Sequence, residues 1–152
     1  MASLDSKVPP PAVVLIMAVG MWLTARAAAA FDFAFPAHTW VAAGLVAAGF
    51  LTGMTGVVTF RKARTTTNPM KPGASSLVTW GIYTLSRNPM YLGGLIMLLG
   101  WAIGLSNAVA FLFLPAYVLY INRFQIAPEE RALTSLFGAT YAAYQARARR
   151  WL

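Results

Sequence analysis

The sequence has no cysteine, one histidine and only four acidic residues, and each scarcity excludes something. Without cysteine there is no disulfide framework and no thiolate nucleophile or ligand. A single histidine and two adjacent glutamates make no credible transition-metal cluster. No Ser-His-Asp arrangement, phosphate-binding loop or glycine-rich dinucleotide turn is present either. Charge itself is scarce: 11% of residues are charged and 59% are hydrophobic, against about 25% and about 45–50% in soluble domains. One domain of 152 residues has too little interior to cover so much apolar surface. The chain therefore reads as an integral membrane protein. Its net charge of +8 does not point to nucleic acid, because the basic residues sit beside apolar runs and line no continuous face.

Four stretches are apolar enough to cross a bilayer, whose hydrocarbon core calls for about 20 helical residues. They run over residues 11–30, 39–60, 89–105 and 108–126, leaving a loop at 61–88 and a tail at 127–152. The expected fold is an all-α membrane bundle of about four spans with a C-terminal amphipathic helix, forming one domain over 1–152. Pro9, Pro10 and Pro11 suit the start of the first span. That span exceeds the short apolar core of a secretory signal, so it reads as retained despite the small residues Ala27 to Ala30. Spans three and four are joined so tightly that they form an antiparallel hairpin. Gly49 and Gly53, and Gly100 and Gly104, allow close helix approach, which favours packing inside the bundle over dimerisation and leaves monomer and homodimer both open.

Basic residues fix the expected orientation. Arg61, Lys62, Arg64, Lys71 and Arg87 lie between spans two and three, and Arg123, Arg131, Arg147, Arg149 and Arg150 close or follow span four. The other two connections carry none, which puts both termini in the cytoplasm of what reads as a bacterial inner membrane. Arg26 stands at the opposite end, within snorkelling reach of Asp32 or headgroups.

The remaining polar residues collect on the basic side. Glu129 and Glu130 are the chain's only glutamates. They follow Pro128, where they read both as a helix N-terminal cap and as a carboxylate pair for a ligand rich in hydroxyls or bearing an ammonium group. At the start of span three, Pro89 marks a loop-to-helix junction. There Arg87 offers a fork for a carboxylate, Asn88 a donor and an acceptor, and Gly93 room for something to lie against the helix. Tyr141 and Tyr144, with Phe137 one turn earlier, share a face of the tail helix and read as interfacial packing or as a ligand wall. Arg147, Arg149 and Arg150 read first as a phospholipid-facing patch.

The strings Leu77-Val-Thr-Trp-Gly81-Ile-Tyr83, Ser86-Arg87-Asn88-Pro89-Met90-Tyr91-Leu92-Gly93, Glu129-Glu130-Arg131-Ala-Leu133 and Phe137-Gly138-x-x-Tyr141-x-x-Tyr144 together resemble the isoprenylcysteine carboxyl methyltransferase family of integral membrane enzymes. That wider group includes phospholipid methyltransferases. The resemblance implies an S-adenosylmethionine pocket facing the cytosol, held by Tyr83, Arg87, Pro89, Tyr91, Gly93, Glu129, Glu130, Tyr141 and Tyr144. It also implies Arg87, Asn88 and Glu129 as catalytic residues, no metal, and a lipophilic or membrane-partitioned acceptor such as a prenylcysteine carboxylate, a phospholipid amine or a thiol. Many prenylcysteine-methylating members have histidine where this chain has Asn88, so the resemblance does not carry the acceptor. Two rival readings are a membrane reductase of sterol reductase type, with the C-terminal arginines on the 2′-phosphate of NADPH, and a non-enzymatic membrane adaptor.

Overall fold

The computed structural model describes residues 8–33, 36–63 and 76–152. Arg64, Lys71 and the middle of the loop at 61–88 lie outside the described residues. Among the described residues there are five α-helices: α1 (Pro10–Ala27), α2 (His38–Lys62), α3 (Pro89–Leu105), α4 (Phe113–Ile121) and α5 (Ala127–Gln145). No strand occurs among the described residues, which bears out the all-α membrane bundle.

Three helical stretches are long and apolar enough to cross a membrane: α1, α2 and the continuous path Ala108–Gln145. The third expected span, α3, has 17 residues, which at about 1.5 Å per residue falls short of a full hydrocarbon core. It is held along α2. A Cβ placed at Gly49 would stand 2.6 Å from the Gly93 carbonyl oxygen, one at Gly93 would stand 2.7 Å from the Gly53 amide, and one at Gly100 would meet the Ala42 carbonyl at 2.8 Å. The small residues thus let two backbones touch inside the bundle. Side chains on the other faces point outward: Leu15, Ile16, Leu23, Phe50, Leu51 and Leu119 are all exposed, as a lipid-facing surface requires. The interior between α1, α3 and α4 is filled by Met21, Leu98, Ala102, Tyr117 and Ile121.

Several boundaries differ from the sequence expectation. The first span stops at Ala27, because a single 3₁₀ turn over Ala29–Phe31 carries the chain away. Arg26 lies over the Trp22 ring, 5.6 Å from its centroid, while Asp32 accepts a 2.7 Å hydrogen bond from Asn107. Arg26 and Asp32 therefore have separate partners. The fourth span begins with a 3₁₀ stretch at Ala108–Leu112 and leaves through a π turn at Asn122–Ile126. That turn immediately precedes Pro128, whose missing N–H and bulky ring do not fit a regular α-helix interior. The helix thus continues past Pro128, and no side chain caps α5. The capping role expected for Glu129 and Glu130 is absent for that reason.

The tail helix is bent. Gly138 has φ 47° and ψ −122° inside α5, a conformation that only glycine adopts without strain. Phe137 and Tyr141 therefore lie on either side of a kink, not along one face of a straight helix.

Candidate functional site

One end of the bundle gathers the polar residues. Pro89 opens α3 at its first turn and is itself fully buried. Just before it, Ser86 and Arg149 form a parallel bridge, with the Arg87 amide donating to the Arg149 carbonyl at 2.8 Å. The C-terminal segment is thereby laid beside the start of α3, and every other contact of the site follows from that placement.

Arg87 is clamped from three directions. Its Nη1 donates to the Gln145 carbonyl at 3.2 Å and to the Ala148 carbonyl at 2.9 Å, and its Nη2 donates to Glu130 Oε1 at 2.9 Å. Arg150 completes the carboxylate's coordination, its Nη2 reaching Glu130 Oε2 at 2.6 Å and its Nε reaching Oε1 at 3.1 Å. Asn88 donates from Nδ2 to the Arg150 carbonyl at 2.9 Å. Arg150 thus has a partner within the protein while its side chain stays 46% exposed. The fork of Arg87 is largely committed to protein acceptors, and its Nε is buried without one.

Glu129 has a different environment. Its Oε1 accepts a 2.6 Å hydrogen bond from the Tyr91 hydroxyl, and the Tyr91 carbonyl in turn accepts from Tyr117 at 3.1 Å. Burial pushes the Glu129 carboxyl up to about 7; the Tyr91 hydrogen bond opposes this and the neighbouring Glu130 charge adds to it. Glu129 thus changes protonation near neutral pH. Burial also pushes the Tyr141 and Tyr144 phenols up to about 12, with Glu130 adding to the first and Arg87 opposing both. Tyr83 is raised further for the same first reason, so all three phenols stay protonated as hydrogen-bond donors.

These groups surround a cavity of about 80 Å³ that opens at the surface. Of the residues expected at the site, Tyr83, Arg87, Asn88, Tyr91, Glu129, Glu130, Tyr141 and Tyr144 line it. Pro89 and Gly93 do not. Pro89 supports the junction from behind, and Gly93 packs on the α2 backbone at Gly49 and Gly53 and lines a second, apolar groove. Phe60, Val78, Leu133 and Phe137 also line the cavity; sequence reasoning assigned the first three no role, since nothing local distinguishes them from lipid-facing residues. Phe137, Tyr141 and Tyr144 all line the cavity from the two sides of the kink at Gly138.

Fold and site together define a helical integral membrane protein with a carboxylate- and phenol-lined cavity at one end of its bundle. A phospholipid methyltransferase family model matches residues 37–140, and the chain belongs to that family. It is also similar to an uncharacterized protein of Haemophilus influenzae, 48% identical over 63 residues, which are 41% of this chain and 100% of that protein.

Proposed function

We propose that the chain transfers a methyl group from S-adenosylmethionine to a lipophilic or membrane-partitioned acceptor at the cytosolic membrane face. The observation that carries this reading is the pairing of two adjacent glutamates with different partners, Glu129 with Tyr91 and Glu130 with Arg87 and Arg150, around one cavity. The donor set fits the cosubstrate. Its ribose diol and ammonium match carboxylate acceptors, and its adenine matches the aromatic side chains of Phe137, Tyr141 and Tyr144. When bound, the cosubstrate supplies an electrophilic methyl on a cationic sulfur.

The protein's own task is alignment and exclusion of water. Glu129 holds ligand donors, and Arg87 fixes Glu130 while tying down the C-terminal segment. Asn88 holds that segment through the Arg150 carbonyl, and the Glu129 carboxyl accepts or releases a proton near neutral pH. The positive-inside pattern supports cytoplasmic termini, and lateral access of the acceptor from the bilayer supports the bundle's use as an enzyme scaffold.

The test is calorimetric titration of the purified protein with S-adenosylhomocysteine, with NADPH as the competing ligand, alongside a labelled-methyl assay on membrane lipid extracts. Binding of S-adenosylhomocysteine that Glu129→Gln abolishes, together with labelled lipid, is the expected result. Binding of NADPH alone, or of neither with no labelled product, sinks the reading.

A further inference from the structure

The chain that leads into α3 has two faces. After Trp80 it turns at Gly81, whose φ of 64° lies in the left-handed region, and a 3₁₀ turn over Gly81–Thr84 carries it toward Pro89. Tyr83 faces inward. Its ring packs edge-on against Phe60 at 5.2 Å, and its carbonyl accepts from the Tyr144 hydroxyl at 2.7 Å. The buried Ser86 holds the far end through its bridge to Arg149. Trp80 and Leu85 face outward, 47% and 69% exposed, although they belong to no spanning helix.

Single exposed apolar side chains are ordinary on a water-facing surface, so depth along the bundle decides what these two meet. A Cβ placed at Gly81 would stand 3.7 Å from Thr59 Oγ1, and the Tyr83 hydroxyl packs further along α2, 3.3 Å from a Cβ placed at Gly56. Thr59 and Gly56 precede Arg61, the first charge at this end of α2, by two and five residues. At about 1.5 Å per residue they lie about 3 Å and about 7 Å to its bilayer side. The turn thus sits below the level of the basic residues that mark the headgroups. The length of α3 points to the same depth. Its 17 residues cover about 25 Å of a hydrocarbon core of about 30 Å, leaving a shortfall at its ends. Leu85 precedes Pro89 by four residues, so it lies within about 14 Å of the helix start even if that stretch were fully extended.

We propose that residues 80–85 form an interfacial anchor that completes the α3 crossing: Trp80 and Leu85 enter the headgroup–acyl boundary of the same bilayer, while Tyr83, on the opposite face of the turn, walls the polar cavity. The partner is the lipid interface. An indole, with an apolar body and a polar N–H, suits that layer, and a leucine beside it adds buried apolar area. The exposed Arg61 and Lys62 at the adjoining end of α2 supply cations for headgroup phosphates at the same level. One turn of chain thereby ties the position of a cavity wall to the bilayer surface. The anchor rests on the spanning helices and stands apart from the methyl-transfer reading.

Because the chain has no cysteine, Trp80→Cys and Leu85→Cys each create one site for a nitroxide label. In the full chain in lipid nanodiscs, collisions with oxygen, which concentrates in hydrocarbon, and with a nickel chelate, which stays in water, report the depth of each label. Labels at 80 and 85 should lie about 5–10 Å into the headgroup–acyl boundary, shallower than a label at Leu51→Cys on the exposed face near the middle of α2. In nanodiscs of shorter-chain lipid, whose core α3 crosses unaided, both labels should move toward water. Labels as open to the nickel chelate as free nitroxide in buffer overturn the anchor, because the segment then stands in water. Shielding from both reagents overturns it too, since protein, from this chain or a second copy, then covers the two residues.

Discussion

The two ends of the bundle each bury a polar cluster, and they treat it differently. At the end where α3 meets the 3₁₀ stretch, Asn107 is fully buried. Its Nδ2 donates to the Ala28 carbonyl at 2.8 Å and to Asp32 Oδ1 at 2.7 Å, and its Oδ1 accepts from the Val109 amide at 3.0 Å. Phe33 donates to the Ser106 carbonyl at 2.9 Å beside it. Every polar atom of the asparagine side chain has a partner, and the cluster lines none of the cavities described above. At the Arg87 end the hydrogen bonds are as numerous, yet Arg87 Nε and the Tyr83 hydroxyl stay unpaired and a cavity opens between the side chains. Burial of polar groups costs free energy unless they are paired. A cluster that only staples helices closes all its bonds, and one shaped for a ligand leaves some open.

Substitutions at the two ends should separate these roles. Arg87→Ala removes the donors to Glu130, Gln145 and Ala148 at once and leaves a half-buried carboxylate with one exposed partner. Loss of one member of such a pair costs about 3 kcal/mol or more. Unfolding in detergent micelles should show that loss, and limited proteolysis should cut the C-terminal segment first; an intact tail with unchanged stability would show that Arg87 does not clamp it. Asn107→Ala removes the donors to the exposed Asp32 carboxylate and to the Ala28 carbonyl, which keeps its bond from the Phe31 amide, and the acceptor of the Val109 amide, for an expected loss of about 1 kcal/mol. S-adenosylhomocysteine binding at temperatures where the protein is folded should not change. A large binding defect in Asn107→Ala would erase the contrast between a stapling end and a ligand-binding end.

Acidity sharpens the contrast further. The Glu129 carboxyl has its ordinary value of 4.5 shifted up to about 7 by burial. In the ligand-free protein this raised value means that the stability Glu129 contributes is present below 4.5 and is lost as the pH rises through about 7. A ligand that donates hydrogen bonds to the carboxylate needs the ionised form, so its affinity runs the other way. Between pH 6 and pH 8 S-adenosylhomocysteine binding should strengthen by about ten-fold while ligand-free stability falls. Glu129→Gln should abolish both trends; a pH profile in the variant that matches wild type would remove Glu129 from the site.

Much of this was legible in the sequence because scarcity concentrates information. With only four acidic residues in the chain, the adjacent pair Glu129 and Glu130 stood out as candidate carboxylates, and both line the cavity. The spans followed from apolar length alone. What stayed hidden depends on geometry across the chain: the bridge between Ser86 and Arg149, the grip of Arg87 on the C-terminal carbonyls, and the bend at Gly138 have no local signature. Gly93 misled for a related reason. A glycine in a helix signals close approach, but only the packed structure says whether the neighbour is a ligand or, as here, α2. Arg150 sits in a basic string whose composition matches a lipid-facing patch, and only its contact with Glu130 distinguishes it.

That contact sets the smallest expected effect. Glu130 is held by one buried and one exposed arginine: the Arg87 side chain is 12% exposed and the Arg150 side chain 46%. An ion pair with so exposed a partner is screened by water and salt, so Arg150→Gln should lower stability by less than about 1 kcal/mol, and less again at high salt. The two arginines share one carboxylate, yet the substitutions should differ several-fold in cost because only Arg87 also binds the Gln145 and Ala148 carbonyls. Measuring Arg87→Ala, Arg150→Gln and the double variant at low and high salt gives the coupling directly. Equal costs for the two single variants would mean that Glu130, and not the carbonyls of the C-terminal segment, is what Arg87 is there to hold.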